Sequence, residues 1–396
     1  MITYDCVVVG GGPAGATAAT ELARAGRSVL LLDRGGRIKP CGGAIPPRLM
    51  RDFAIPETLL VGRAVAARMI APSDRAVDMP VDPSGAGGYV GMVDRETFDE
   101  WLRDRAASAG AERRTGTFER IVRDEDGCAL VCYAETRDGP EQRVRAKAVI
   151  GADGARSRVA LVALKDVEPA RCVYAYHEII RSPAASDPYF DRNRCDVFYQ
   201  AAYSPDFYAW IFPHGDTASI GVGSANKGFG LRDATTRLRA HVGLDACETL
   251  RREGAPIPLR PLARWDNGRD VLVTGDAAGV VAPASGEGIY YAMVSAQHAA
   301  DAVAAFLATG NPRALRQARR TFMRAHGLVF RILGIMQYFW YQNDRRRERF
   351  VAMCADRDVQ QLTWHAYMNK RLIYARPLAY ARIFAKDLRH LLQTAG

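Results

Sequence analysis

Residues 4–33 read YDCVVVGGGPAGATAATELARAGRSVLLLD, and this stretch decides the fold. The apolar run 4–9 leads into a glycine-rich loop and then into ATAATELARAG, whose apolar residues recur at helical spacing before a closing glycine. A second apolar run, 28–33, ends in an acidic residue. The pattern predicts a strand, a glycine loop, a helix and a second strand, which together form a βαβ unit.

The loop fits the G-x-G-x-x-G pattern, with Gly10, Gly12 and Gly15 at the fixed positions and Ala14 directly before the last glycine. We expect all four residues to contact the cofactor. Such glycines allow a tight turn and a close approach of a pyrophosphate to the helix N-terminus, whose N–H groups and dipole attract the anion. Asp33 ends the second strand, where it can accept a hydrogen bond from a ribose 2′-hydroxyl and would repel a 2′-phosphate. The stretch therefore predicts an FAD or NAD site rather than an NADPH site. The alternative is a glycine turn in an unrelated α/β fold.

Two later segments favour FAD over NAD. The motif at 151–157, GADGARS, follows an apolar strand, and Gly275-Asp276 follows the strand VLVT and leads into PASGEGI at 283–289. Each segment alone is compatible with a plain turn. FAD is the longer cofactor, and its ribityl chain and ring need contacts from distant parts of the chain. We expect Asp276 to bond the flavin side, and a helix starting at Gly288 and Ile289 to point its positive dipole end at the flavin N1/O2 edge.

The composition is that of a globular protein without a metal site. Of 396 residues, 48% are hydrophobic and 25% are charged, and no run reaches the roughly 18 apolar residues that a membrane span needs. The N-terminus runs directly into a strand, which argues against a secretory signal. The eight cysteines lack zinc-ligand spacing, and Cys128 and Cys132 flank a strand pattern. We expect free thiols, a cytoplasmic location and no bound metal.

The net charge of +10 is concentrated in the last part of the chain. From Pro312 onward there are 17 lysines and arginines against 5 acidic residues, whereas residues 1–311 hold 37 against 39. Nucleic acid, an anionic membrane and a diphosphate substrate would each attract such a segment. The aromatic content of the same segment favours a membrane or lipid, so we expect no nucleic-acid partner.

The order of strand and helix patterns indicates a mixed α/β and α+β protein with three regions. The predicted Rossmann-type FAD-binding domain comprises 1–165 and 266–311, interrupted by a β excursion near 62–93. Residues 166–265 are rich in alternating and aromatic segments, which predict an antiparallel-sheet substrate domain. Residues 312–396 read as a helical C-terminal region, with breaks near Asn311 and Pro377.

These motifs resemble the p-hydroxybenzoate hydroxylase class of flavoproteins, in which GxGxxG comes first, GADG lies in the middle and GD follows near residue 275. The resemblance implies that fold and a non-covalent FAD. It also matches Arg95, in VDRETFDEWL, to an arginine that reaches the flavin ribityl region in this class. The alternative for Arg95 is a surface arginine at the start of a helix.

Within that class the chain is similar to the geranylgeranyl reductases. Their signature P-x-x-Y-x-W-x-F-P is met at every fixed position, their Cys-Gly-Gly loop is matched, and the run 347–372 resembles the tail of the chlorophyll and bacteriochlorophyll branch. The resemblance implies NADPH-driven reduction of three double bonds of a geranylgeranyl group to phytyl, on a pigment ester or on the diphosphate. The alternative functions are that of a geranylgeranyl-lipid reductase and that of a flavin monooxygenase or halogenase of the same fold. The matched positions are Pro205, Tyr208, Trp210, Phe212 and Pro213 in the signature, and Cys41, Gly42 and Gly43 in the loop.

An isolated alkene accepts hydride poorly, so we expect protonation to give a tertiary cation that hydride then quenches. Such chemistry needs an acid, an apolar pocket and π faces that stabilise the cation. Tyr208 and Trp210 are two residues apart and are candidates for that wall, although ordinary sheet packing would also use such residues. Cys41 is a candidate proton donor or flavin contact, or simply a small residue that the tight loop accommodates.

The remaining expectations concern the electron donor and the tail. No second GxGxxG exists, so the family resemblance implies transient docking of NADPH or NADH on the flavin domain, and it favours NADPH. Residues 326–341 are apolar nearly all round and precede Arg345, Arg346 and Arg347. This segment is either a buried helix with a solvated basic end or a docking surface for a prenyl substrate at an anionic membrane. We therefore expect a protein attached peripherally to the photosynthetic membrane.

Overall fold

The computed structural model of the chain describes residues 2–36, 38–82, 84, 87–164, 167–184, 190–368 and 370. The helices are α1 (Pro13–Arg24), α2 (Pro47–Asp52), α3 (Arg95–Ser108), α4 (Arg158–Ala163), α5 (Leu231–His241), α6 (Ile289–Thr309), α7 (Arg316–Trp340), α8 (Asp344–Met353) and α9 (Arg357–Thr363). Short 3₁₀ turns cover Glu57–Leu59, Gly275–Ala278 and Pro312–Leu315, and a π-helical turn covers Trp364–Met368.

The strands fall into three sheets. In chain order they are β1 (Thr3–Val9), β2 (Val29–Asp33), β3 (Ala44–Ile45), β4 (Leu60–Ala64), β5 (Ala66–Ile70), β6 (Ala76–Pro80), β7 (Val90–Val93), β8 (Glu112–Thr115), β9 (Thr117–Arg123), β10 (Ala129–Ala134), β11 (Glu141–Gly151), β12 (Cys172–Arg181), β13 (Arg194–Phe198), β14 (Ala209–His214), β15 (Thr217–Ser224), β16 (Thr249–Pro258) and β17 (Val271–Val273).

The chain divides into two compact units. The first unit comprises Met1–Lys39, Arg95–Val173 and Pro256–Ile335, and the second comprises Pro40–Asp94, Tyr174–Ala255 and Met336–Gly396. The three-part division expected from the sequence differs from this one, because the expected helical region is divided within α7. The first part of α7 belongs to the first unit, where Phe322 packs against Trp265 and Tyr291 with ring centroids 5.4 and 6.2 Å apart.

The first unit is built on a seven-stranded sheet with the order β8-β2-β1-β11-β10-β9, and β17 pairs with β11. Strands β8, β2, β1, β11 and β17 are parallel, whereas β10 and β9 add an antiparallel edge. Every residue of Val7–Val9 and Leu30–Leu32 is buried, as expected for strands covered on both faces. The βαβ unit predicted from residues 4–33 is confirmed, with β1, α1 and β2 in that order.

Most of the second unit's strands form one sheet, in the order β16-β12-β15-β14-β13-β5-β6. Its pairs are antiparallel from β12 through β13, and β5 lies parallel to β13. One face of this sheet packs on α5, with Ile211, Ile220 and Leu238 in the core. Strands β3, β7 and β4 form a small separate sheet. The predicted antiparallel substrate sheet and the mixed α/β and α+β class are thus both present.

Candidate functional site

The glycine loop between β1 and α1 contains two glycines that the fold itself requires. Gly10 has φ +105°, and a Cβ added there would lie 2.4 Å from the carbonyl oxygen of Ala152. A Cβ on Gly15 would lie 1.7 Å from the carbonyl oxygen of Gly10. Both clashes involve backbone atoms that cannot rotate away, so these two glycines let β1, β11 and α1 pack closely.

Gly12 differs, because, apart from its chain neighbours, no atom of the described residues lies within 4 Å of where its Cβ would be. Its φ of −74° is open to any residue, so the backbone does not need a glycine there. No side chain caps α1, which begins immediately after Gly12 with Pro13 at its first position. The N–H groups of this first turn, which no described side chain caps, fit a pyrophosphate, and a bare α-carbon at Gly12 leaves room for it.

Asp33 lies against this loop, as predicted for a ribose-binding carboxylate. A Cβ on Gly11 would fall 2.7 Å from the Asp33 carboxylate, so only glycine admits the contact. Burial raises the pKa of Asp33, while the Gly11 N–H and the guanidinium of Arg103 lower it. Arg103 also donates to the Gly11 carbonyl at 3.3 Å and pairs with Glu100. Sequence reasoning missed Arg103, which lies in an arginine-rich helix without a motif to single it out.

The GADG motif after β11 has a structural role in the chain itself. Ala152 donates its N–H to the Val9 carbonyl at 2.7 Å and supplies the oxygen against which Gly10 packs. The Asp153 carboxylate accepts from the N–H groups of Arg158 and Val159 and from the Ser157 hydroxyl. Asp153 thus caps the start of α4. The backbone of Ala152 in the same motif packs against Gly10 of the glycine loop.

The segment after β17 brings Asp276 to the N-terminus of α6. A Cβ on Gly288, the residue before α6, would lie 3.5 Å from Oδ1 of Asp276. Lys39 donates to the other carboxylate oxygen, which neutralises a side chain only 8% exposed. The buried Ser295 hydroxyl accepts from the Gly275 N–H at 3.1 Å and so fixes the turn. Asp276 therefore lies beside Gly288 at the start of α6, whose first residue is Ile289, and the flavin contact of these residues stays a prediction. Lys39, which precedes the Cys-Gly-Gly loop in the sequence, is the ion-pair partner of Asp276.

Arg95 is not the exposed helix-start residue that the alternative interpretation described. It is 5% exposed and pairs with Asp99 one turn along α3, at 2.9 Å from Nε to Oδ1 and 2.7 Å from Nη2 to Oδ2. A buried guanidinium needs such a partner, because an isolated buried charge is very costly. Its contact with the flavin ribityl region remains a prediction.

In the second unit the signature residues around β14 form a row of aromatic rings. Tyr208 is 8% and Trp210 5% exposed, and their ring centroids are 6.0 Å apart. The row continues to Phe212 on one side and, through stacking at 4.2 Å, to Phe207 on the other. The structure thus brings the two predicted wall residues together, and their contact with a substrate stays a prediction.

The Cys-Gly-Gly loop lies directly on this signature strand. A Cβ on Gly42 would meet the Phe212 ring at 3.0 Å, and one on Gly43 would meet His214 Nε2 at 2.5 Å. Gly43 also has φ +68°, which disfavours any other residue. The Cys41 sulfur accepts a hydrogen bond from the Gly43 N–H at 3.4 Å, and the thiol is half-buried. Both glycines are therefore needed for the loop to pack on β14, and the cofactor contact of Cys41, Gly42 and Gly43 stays a prediction.

The Trp210 indole contacts residues of β15 and β12. No sequence motif indicated these residues. In the strand register Gly221 is the direct cross-strand partner of both Trp210 and His177. A Cβ on Gly221 would lie 2.3 Å from the indole, so the two rings meet only over a glycine. The indole N–H donates to the Ser219 hydroxyl at 3.1 Å.

The arginine cluster after α7 is not uniformly at the surface, contrary to the expected solvated basic end. Arg347 is fully buried and donates to the carbonyl oxygens of Pro205 and Tyr341, the latter at 2.7 Å. Burial lowers its pKa. Arg345 is exposed, as expected, and Arg346 lies over the Phe339 ring at 4.3 Å. Through its hydrogen bond to the Pro205 carbonyl, Arg347 therefore links the C-terminal segment to the first residue of the signature.

Helix α7 is neither apolar nor buried all round. Leu328, Ile332, Ile335 and Tyr338 are between 42% and 75% exposed and follow one side of the helix, while Phe330 and Trp340 on the other side are buried. Within the part of the chain that the structure describes, no helix has the length and apolar character needed to cross a bilayer. Residues 371–396, including the predicted break near Pro377, lie outside the described residues.

Comparison with known proteins agrees with this arrangement. The profile of the FAD-binding domain family matches residues 3–325. A geranylgeranyl bacteriochlorophyll reductase-like protein from Thermoplasma acidophilum shares the fold with a TM-score of 0.81 at 20% identity, over 96% of this chain and 100% of that one. Fold, glycine loop and Asp33 together define an FAD-binding flavoprotein of the p-hydroxybenzoate hydroxylase-like class.

Relatives that are similar in sequence show which family within this class the chain belongs to. A geranylgeranyl diphosphate reductase of Rhodobacter capsulatus is 55% identical over 391 residues, which cover 98% of this chain and 97% of that protein. The protein of the same name from Synechocystis is 37% identical, with the same coverage of 98% and 97%. The chain belongs to the geranylgeranyl reductase family. A digeranylgeranylglycerophospholipid reductase of Methanoculleus marisnigri is 31% identical and matches only 78% of this chain.

Proposed function

We propose that this protein uses bound FAD and NADPH to reduce three isolated double bonds of a geranylgeranyl group, giving phytyl, in chlorophyll or bacteriochlorophyll biosynthesis. The observation that carries the proposal is the complete signature around β14, with its aromatic row packed against the Cys-Gly-Gly loop. The 55% identity over nearly the whole chain supports the same reaction. The match to the archaeal-type lipid reductase is weaker and omits part of the chain, so that activity is the second candidate.

The residues of the first unit fit FAD. The N-terminus of α1 and Gly12 would hold the pyrophosphate, and Asp33 would accept from the adenosine ribose. The α6 N-terminus, with Asp276 and its partner Lys39, would meet the flavin side. When bound, the flavin supplies the hydride, and NADPH restores it.

The residues of the second unit would act on the alkene. Adding a proton to the CH carbon places positive charge on the tertiary carbon, and the hydride then completes the new C–H bond. The electron-rich faces of Tyr208 and Trp210 would stabilise that charge in a site from which water is excluded. Cys41 is the candidate proton donor, because its thiol is the half-buried acidic group in the loop that contacts β14. Cys41→Ser should retain FAD and lose most turnover.

The test of this assignment separates the two half-reactions. Trp210→Ala should slow alkene reduction by pre-reduced enzyme about 30-fold, since π stabilisation of a desolvated cation is worth about 2 kcal/mol. Flavin reduction by NADPH should stay near the wild-type rate. Trp101→Ala, in α3, is the matched control and should change neither rate. Slower flavin reduction with normal alkene reduction would refute the assignment.

Product analysis decides the substrate form. Mass spectrometry of reactions offered geranylgeranyl diphosphate and the geranylgeranyl pigment ester together should show loss of three double bonds from one of them. Turnover without oxygen is expected, because direct hydride delivery consumes none. A strict oxygen requirement would instead favour a monooxygenase or halogenase.

We further propose peripheral attachment to the cytoplasmic face of an anionic photosynthetic membrane through α7. The exposed side of this helix carries Arg324, Leu328, Arg331, Ile335 and Tyr338 at spacings of three and four residues. Arginines interleaved with apolar side chains suit an anionic interface, where each basic residue contributes roughly 1 kcal/mol within about a Debye length. A substrate with a prenyl tail would then come from the lipid phase.

Co-sedimentation with liposomes tests this attachment. Binding should require anionic lipid and be reversed by high salt, and Ile335→Ser or Arg331→Gln should weaken it several-fold. Leu161→Ser and Arg137→Gln are matched controls, because both residues are exposed elsewhere, Leu161 by 74%. Binding that ignores lipid charge and salt would contradict the electrostatic account.

A further inference from the structure

A chain of polar side chains runs across four neighbouring strands of the second unit and ends on the indole of Trp210. Trp210 on β14 donates from Nε1 to the Ser219 hydroxyl on β15 at 3.1 Å. Ser219 Oγ lies 2.9 Å from Nδ1 of His177 on β12. Nε2 of His177 lies 3.1 Å from a carboxylate oxygen of Glu253 on β16. The strands follow one another in the sheet as β16-β12-β15-β14.

The chemistry of these groups gives the chain a direction. An indole N–H can only donate, so Ser219 accepts from Trp210 and keeps its own hydroxyl proton for His177 Nδ1. The Glu253 carboxylate lies 3.1 Å from Nε2 without hydrogen-bond geometry, and its negative charge favours the remaining imidazole proton on that nitrogen. The donors of Trp210 and Ser219 thus point toward His177, and successive hydrogen bonds of this kind polarise one another in a site of low dielectric, with the charge of Glu253 adding to that polarisation.

We propose that Glu253, His177 and Ser219 are positioning residues that orient the Trp210 indole and make its ring more electron-rich. A hydrogen-bond donor gains electron density from its acceptor, and a chain ending in a carboxylate strengthens that effect. A more negative π face stabilises a nearby carbocation better. The inference rests on the proposed function, in which Trp210 faces the reacting alkene.

Packing alone does not call for this arrangement. Ser219 is fully buried, His177 is 2% exposed and the Glu253 side chain 9%. Burying a carboxylate costs more than filling the same space with apolar side chains, even with Arg251 as a second partner. Gly221 moreover leaves just enough space for the His177 and Trp210 rings to approach, with centroids 6.1 Å apart. Burying this chain of polar side chains lowers the stability of the fold, and the chain ends at the Trp210 indole. This combination indicates that the chain has a role at that ring.

The first experiment changes the charge at the far end. Glu253→Gln keeps the shape and should slow single-turnover alkene reduction by pre-reduced enzyme about tenfold. Substrate affinity should stay constant, because the cation exists only in the transition state. Flavin reduction by NADPH should also be unchanged. Glu248→Gln is the matched control, since Glu248 makes an ion pair with Arg181 but is 61% exposed and outside the chain of contacts.

The second experiment asks whether the effect passes through the indole. Trp210→Phe removes the N–H donor, so Glu253→Gln should cause no further slowing in that background. Equal slowing in both backgrounds would overturn the proposal. Ser219→Ala breaks the chain next to the indole and should reproduce the Glu253→Gln phenotype, which keeps the test valid if one variant folds poorly.

The outcomes separate this inference from the proposed function. If Trp210→Ala leaves alkene reduction unchanged, the proposed site itself is wrong. If Trp210→Ala slows alkene reduction while folded Glu253→Gln and Ser219→Ala proteins keep the wild-type rate, only the polar chain's role is overturned. Reduced substrate affinity without a change in rate constant would mean that the chain merely shapes the pocket, which also contradicts the proposal.

Discussion

In the glycine loop of the first unit, the Cβ position of Gly12 faces open space, whereas around β14 of the second unit the motif residues pack on one another. Apart from its chain neighbours, none of the described residues lies within 4 Å of that position, which leaves room for a ligand. Around β14, Trp210 lies over Gly221 and Phe212 against Gly42. Sequence motifs of equal clarity thus lie beside open space in one region and take part in internal packing in the other.

The comparison teaches that a motif position must be judged by what its side chain would meet. Gly10 and Gly15 belong to the same motif as Gly12, yet both are explained by backbone contacts within the protein. Substitution at the first two should disturb folding, whereas substitution at Gly12 should disturb the cofactor. The predictions below test this division, beginning with the largest expected effect.

Gly12→Val should abolish FAD binding while the apoprotein remains folded. The new side chain occupies the space at the α1 N-terminus, so we expect the Kd for FAD to rise by about 1000-fold, or about 4 kcal/mol. Flavin absorbance of the purified protein and calorimetric titration of the apoprotein measure this. Gly334→Val is the control, because Gly334 in α7 has equally open surroundings. Full FAD occupancy in Gly12→Val would falsify the assignment.

Arg347→Ala should lower the free energy of unfolding of the second unit by about 3 kcal/mol, because it leaves buried carbonyl groups of Pro205 and Tyr341 without their donor. Denaturant unfolding followed by circular dichroism measures the change. Arg345→Ala, at an exposed position two residues earlier, should change stability by less than about 0.5 kcal/mol. Equal effects of the two substitutions would mean that Arg347 does not tie the C-terminal segment to the signature.

His214 should make stability depend on pH, because burial beneath the Cys-Gly-Gly loop lowers its pKa from 6.5 to about 4. Above pH 6.5 the imidazole is neutral in both the folded and unfolded states. As the pH falls from 6.5 to 4, the unfolded chain takes up the proton first, so stability is lost over that window, by up to about 3 kcal/mol.

His214→Gln should flatten this part of the stability profile, measured as urea midpoints at several pH values. His241→Gln is the matched control, since the His241 side chain is 41% exposed. A wild-type profile that is level between pH 4 and 6.5, or one that flattens equally in the control, would exclude His214 as the cause.

Asp33→Asn should give the smallest effect, a weakening of FAD binding of about tenfold, or about 1.4 kcal/mol. Asparagine retains an acceptor for the Gly11 N–H and the ribose hydroxyl but removes the charge. Titration of apoprotein with FAD measures the change, with Asp104→Asn, an exposed residue on α3, as the control. An unchanged Kd would mean that Asp33 serves only to pack against Gly11.

The sequence alone determined the βαβ unit, the FAD motifs in their order and the family. Each of these motifs consists of residues that are close together in the chain. Glycines at set spacing, an acid at a strand end and a nine-residue signature are local patterns that physical chemistry can interpret directly. The predicted start of a helix at Gly288 and Ile289 is of this kind, and α6 begins at Ile289.

Only the tertiary structure decided which residues support those motifs. Trp210, Ser219, His177 and Glu253 come from four strands, and their meeting depends on strand order and register that no local pattern specifies. Arg347 belonged by sequence to a basic surface cluster, yet the fold buries it against the carbonyl of Pro205. Long-range pairing is determined by the packing of whole sheets, so the partners of a motif become visible only when distant strands lie side by side.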